Sequence, residues 1–89
     1  MKVPKNPFHP GTILLEEFLN PKGLTLNTFA DQLGWTKAKL SKLIRGKSDI
    51  TADTALDLAE VLKISPKIWM NLQATWDLDI ALKQRTRKK

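Results

Sequence analysis

The chain has 89 residues, a net charge of +6, three Trp, three Phe and no Cys. That is one domain near the lower limit of what a single core holds together, a size at which oligomerisation often adds stability. The missing cysteines exclude disulfides and thiolate metal sites, and no apolar run nears the roughly 18 residues of a membrane span. Residues 1–11 also lack the apolar core of a signal peptide, so a soluble, cytoplasmic protein is expected.

Five segments carry helical periodicity and none alternates convincingly as a strand, which predicts an all-α fold. His9-Pro10-Gly11 leads into Ile13, Leu14, Phe18 and Leu19, with Pro10 suited to a first helical turn. This helix is expected to stop near Asn20, because Pro21 biases its neighbour away from the α region and Gly23 follows. Leu26, Phe29, Ala30 and Leu33 then fall at i, i+3, i+4 and i+7. Thr25 is the expected N-cap, Leu24 can staple onto Phe29, and Gly34 ends the helix. Thr36 caps a third helix with Leu40, Leu43 and Ile44 on its buried side, Trp35 as its staple onto Leu40, and Gly46 at its end. Thr51 opens a fourth, with Asp53 complementing the helix dipole and Ala55, Leu58, Ala59 and Leu62 as the apolar stripe. Ser65 caps a fifth, with Pro66 first in it and Ile64 facing Trp69, expected to run through Ile80 and then dissolve into KQRTRKK.

The positive charge is concentrated. Residues 37–47 hold five cations and residues 83–89 another five, with no acid in either run, while the remainder of the chain is net acidic. Basic runs on an acidic body are the footprint of a nucleic-acid binder; the plain alternative is a solvated surface. Gly46-Lys47-Ser48 imitates the end of a phosphate-binding loop. However, the first glycine of G-x-x-x-x-G-K-[ST] would fall on Ser41, and a capped helix rather than a strand precedes it. Two short helices joined by a one-glycine turn fit a helix-turn-helix instead. The outward side of the second carries Lys37, Ala38, Lys39, Ser41, Lys42 and Arg45, placed to enter a major groove.

Over residues 25–65 the sequence resembles the Cro/repressor-type helix-turn-helix class. From His9 to about Ala81 it resembles the HigA family of antitoxins. That resemblance rests on HPGTILLEEFL, GLTLNTFADQLGW, the RGK after the third helix, ITADTALDLAEVL and the SPKIWMNLQATWDL run. It implies a lambda-repressor-like, five-helix, DNA-binding homodimer with a long C-terminal helix. Such a protein neutralises a HigB-type mRNA-cleaving toxin and represses its own operon on double-stranded operator DNA. By alignment, Lys37, Ala38 and Lys42 are base-facing, while Thr36, Lys39, Ser41, Arg45 and Lys47 meet backbone phosphate. Where the class carries Gln just after the cap of the second helix, this chain has Leu26, which leaves Asn27 or Thr28 for that contact. The implied organisation is an N-terminal arm (1–8), a helix-turn-helix antitoxin domain (9–82) and a basic tail (83–89), either solvated, a DNA arm or a toxin contact.

Trp69, Leu72, Trp76 and Ile80 share one side of the last helix and are assigned to core or dimer packing. A stacking platform for single-stranded bases would set such aromatics among cations, whereas Asp77 and Asp79 lie here. His9, the single histidine, cannot complete a usual zinc site and is read as a helix-entry residue. Glu16-Glu17 and Asp77/Asp79 diverge on their helices and do not converge on one bond. No catalytic residue, metal, cofactor, small-molecule substrate or membrane partner is expected. Beside the antitoxin stand two other readings: a stand-alone transcriptional repressor with the same DNA surface, and a helical adaptor that leaves the basic helix unexplained.

Overall fold

The computed structural model describes residues 8–87; residues 1–7 of the expected arm and the last two residues of the tail lie outside them. Among the described residues the chain forms only helices. Helix α1 spans residues 10–22 and contains a π-helical stretch, Leu14–Leu19, between two α-helical ends. Helices α2 (Leu26–Leu33) and α3 (Lys37–Ile44) are two turns each, α4 covers Ala52–Leu62, and α5 covers Pro66–Arg87.

The boundaries follow from local chemistry. Thr25, Thr36 and Thr51 each accept at Oγ1 from the backbone N–H three residues on, at 3.1, 3.1 and 3.3 Å, and Ser65 Oγ accepts from Lys67 N at 3.2 Å. Gly34 and Gly46 take left-handed conformations, and each is followed by a backbone bond back to the last turn, Trp35 N to Ala30 O and Lys47 N to Lys42 O. Such a cap satisfies the orphan carbonyls and turns the chain sharply in two residues.

Two ends differ from expectation. α1 does not stop at Asn20 but carries Pro21 within it and closes at Gly23, where Leu24 N reaches Leu19 O at 3.0 Å. The Asn20 N–H reaches back five residues to Leu15 O. This looser π register relieves the turn in which a proline ring would press on the carbonyl four residues earlier. α5 does not dissolve after Ile80 but runs on through Arg87. No Gly or Pro interrupts residues 81–87, Lys83 pairs with Asp79 one turn back at 3.0 Å, and cations at a helix C-terminus suit its dipole.

The core is a single cluster. Leu14 and Leu19 of α1, Phe29 and Ala30 of α2, Leu40 and Leu43 of α3, Ala55, Leu58 and Leu62 of α4 and Trp69 of α5 are all buried, with Trp35 and Ile50 from the connections. α1 lies across α3 and α5, α2 packs on α3 and α4, and α4 packs on α5. Trp69 is fully buried and meets Phe18 at 5.5 Å between ring centroids. Of the four-residue stripe assigned to core or dimer packing, Trp69 is core, Leu72 packs against the core, and Trp76 and Ile80 are half-buried. The exposed apolar side chains of α5 are others: Ile68, Met70, Leu78 and Leu82.

Candidate nucleic-acid interface

The third helix is held by its buried side and left free on the other. Leu40 and Leu43 enter the core, while Lys37, Ala38, Lys39 and Lys42, with Arg45 at the C-cap and Lys47 in the following loop, are exposed. Ser41 is half-buried at the edge of that face, and Thr36 spends its hydroxyl on the cap. Every cation of residues 37–47 therefore lies on solvent-facing surface of one helix and its exit loop. Lys37, Ala38 and Lys42, the residues expected to face bases, occur on the first two turns, the part of a helix that meets base edges when it enters a groove end-on.

Two contacts fix the turn that presents this helix. Trp35 is buried, and its Nε1–H donates to Asp57 Oδ2 of α4 at 2.9 Å, which ties the α2–α3 turn to the next helix. Lys39 Nζ lies 4.3 Å from the centre of the Trp35 ring, a cation–π contact worth about 0.5–1 kcal/mol at an exposed site. Trp35 thus does more than the expected stapling, and Lys39 has an aromatic partner within the domain.

Between the outward face of α3 and the start of α4 runs an open groove walled by Ala38, Lys39 and Lys42 on one side and Asp49 and Asp53 on the other. The two carboxylates on this otherwise basic face were not singled out from sequence. Asp53 reads as a helix-dipole residue, and Asp49 carries no local signal.

Behind the groove, α1 begins at a built junction. His9 Nδ1 accepts from Gly11 N at 3.0 Å and so N-caps α1, the helix-entry role expected of it. With Nδ1 accepting, the proton of the neutral ring is assigned to Nε2, which lies 4.0 Å from Asp49 Oδ1. The ring meets Trp76 edge-on at 5.3 Å. Burial holds the His9 pKa below its usual value, although Asp49, the Ser48 carbonyl and Asp77 pull the other way. Gly11 lies against the end of the third helix so closely that a Cβ there would stand 1.8 Å from Leu43 O.

A short helix, a tight glycine turn and a second helix presented outward with its cations define a helix-turn-helix module. The chain matches the helix-turn-helix family model over residues 15–69. Antitoxin HigA-1 of Vibrio cholerae is 36% identical over 77 residues, which cover 86% of this chain and 72% of the relative. Two solved structures superpose closely. Antitoxin GraA has a TM-score of 0.89 at 34% identity, covering 96% of this chain and 91% of that one. Pseudomonas aeruginosa antitoxin HigA with the higBA promoter has a TM-score of 0.87 at 30% identity, covering 93% and 90%. The chain belongs to the helix-turn-helix family, and within it to the HigA antitoxins. Among the described residues no helix is long and apolar enough to cross a membrane.

Proposed function

We propose that this chain is an antitoxin that binds operator DNA through α3, represses its own operon and neutralises a HigB-type ribonuclease. The observation that carries the DNA reading is the exposed face of α3, whose cations have no acid within ion-pairing distance among the described residues. The likeness to an antitoxin solved with promoter DNA supports it. Lys37 and Lys42 are assigned to base edges, where an ammonium donates to guanine O6 and N7, and Ala38 to apolar contact such as a thymine methyl. Thr36, Lys39, Ser41, Arg45 and Lys47 are assigned to phosphates, which position the protein without reading sequence. Residues 9–82 form the binding domain in this reading, and 83–89 extend it as a basic end.

Operator recognition by a module this small calls for two copies, with their third helices about 34 Å apart. The exposed apolar residues of α5, Ile68, Leu78 and Leu82, lie on one side of that helix, away from the Trp69 side. This side is the proposed dimer surface. The toxin half of the reading draws its support from relatives named antitoxins.

Two experiments test the halves separately. A gel shift with the duplex upstream of its own coding sequence is expected to show binding that a scrambled duplex does not compete. Co-expression with the adjacent gene product is expected to rescue growth and to yield a stable complex. A neighbour that is harmless, or that stays toxic in the presence of this chain, refutes the antitoxin half and leaves the repressor.

A further inference from the structure

The loop that leaves the recognition helix, residues 46–51, is short, carries Lys47 and Asp49, and ends at the buried side chain of Ile50. Its backbone near Ile50 is buried, and a buried N–H needs a partner. That partner comes from the far side of the domain. Gln73 of α5, 5% exposed, accepts from Ile50 N at Oε1 over 2.7 Å. The same amide donates through Nε2 to Asp49 Oδ1 at 3.2 Å and to Asp77 Oδ1 at 2.9 Å. One buried side chain therefore uses its acceptor on the loop backbone and its donors on two carboxylates. Only the carboxamides of Gln and Asn join an acceptor and two N–H donors in one planar group, and Gln has the longer reach.

The Asp49 carboxylate held in this way forms part of the wall opposite Lys42 in the groove beside the recognition helix. It is 72% exposed as a side chain, so burial does not fix it; Gln73 does. A free carboxylate at a surface meant for phosphates repels them, and its position decides how strongly.

We propose that Gln73 is a positioning residue for DNA recognition: from α5 it sets the loop after the recognition helix, and with it Asp49 and Lys47. This inference rests on the proposed operator binding through α3. It makes α5 part of the DNA-reading apparatus although α5 itself lies behind it. Whatever shifts α5 along its axis is then transmitted to the groove through one amide.

The test exchanges the two hydrogen-bonding groups. Gln73→Glu keeps an acceptor for Ile50 N but loses the donor and sets a third carboxylate beside Asp49 and Asp77. Asp49→Asn in that background restores a donor, now pointing the other way, from Asn to Glu. Affinity is measured for the duplex upstream of its own coding sequence, and Ile50 amide exchange is followed in the free proteins. Gln73→Glu is expected to lose tenfold or more in operator affinity while its circular dichroism stays helical. The double variant is expected to recover at least half of that loss on a logarithmic scale, over and above the gain that Asp49→Asn alone gives in the wild-type background, which removal of a repelling charge by itself would not produce. Binding by Gln73→Glu within twofold of wild type, or a double variant that gains no more over Gln73→Glu than Asp49→Asn gains over wild type, overturns the proposal. If wild type shows the Ile50 protection yet binds no duplex, the operator reading itself has failed, and the positioning role for DNA falls with it.

Discussion

Gly11→Ala tests how tightly the first helix is seated on the third. A Cβ at position 11 would stand 1.8 Å from Leu43 O, 2.6 Å from Leu43 C and 3.0 Å from Ile44 Cα. All three are backbone atoms of the recognition helix, so no rotamer change relieves them. Ordinary contact begins near 3.4 Å, so α1 must withdraw from α3 by more than an ångström. Overpacking a closed core costs about 1–3 kcal/mol and more when the obstacle is rigid, so about 3 kcal/mol is expected here. A domain of this size has roughly 4–13 kcal/mol in total, and each kcal/mol moves Tm by about 4–8 °C. The expected fall is therefore about 12–24 °C in thermal unfolding followed by circular dichroism. Gly23→Ala serves as the control, because no atom lies within 4 Å of its Cβ and only its φ of +66° resists, at about 1–2 kcal/mol. A Gly11→Ala melting temperature within 3 °C of wild type, or no lower than that of Gly23→Ala, refutes the close seating of α1 on α3.

Two further outcomes follow from the junction and from α5. Because burial lowers the His9 pKa in the folded state, the unfolded chain takes up the proton first. The contribution of neutral His9 is fully present above the unfolded value of 6.5, is lost as pH falls through it, and levels off below the folded value. Urea unfolding between pH 8 and pH 5 is expected to show this loss, and His9→Asn, which keeps a capping acceptor but does not titrate, is expected to flatten that limb. Leu82→Glu places a charge at an exposed apolar site of α5, 50% accessible in the monomer. It is expected to shift sedimentation at tens of micromolar from dimer to monomer with little change in helicity, and unchanged sedimentation refutes the dimer surface.

Much of this fold was legible because its punctuation is local. A threonine before each of three helices, and a glycine after two of them, act on backbone groups within a few residues, and all five took the expected roles. Pro21 misled because its cost depends on the register of the preceding turn, and a π stretch is not announced by any residue type. The end of α5 misled because a basic run reads as a tail by composition, while nothing in ALKQRTR breaks a helix. On α5, Trp69 and Leu72 of the stripe read from periodicity lie in or against the core while Trp76 and Ile80 are half-buried, and the exposed side with Ile68, Leu78 and Leu82 is interrupted by polar residues and gave no stripe. For the candidate interface, the exposed cations of α3 were legible from the helix phase. Asp49 and Gln73 were not, since their significance lies in a contact across 24 residues of chain. The approach of Gly11 to Leu43 is of the same kind: Gly11 is an N-terminal residue by sequence and a packing contact by structure.

The central claim is that one face of α3 reads base sequence while its exit end grips the backbone. Lys42 projects from the middle of that face, whereas Arg45 caps the helix and Lys47 follows it. The direct measurement is binding of wild type, Lys42→Ala and Arg45→Ala to the upstream duplex and to random duplex across a salt series. Lys42→Ala is expected to cost about 1–3 kcal/mol on the operator, relax preference at one base pair per half-site and leave random binding less affected. Arg45→Ala is expected to weaken both duplexes alike and to reduce the salt slope by about one ion per subunit. Equal losses on both duplexes for Lys42→Ala, together with altered base preference for Arg45→Ala, would contradict the orientation assigned to α3.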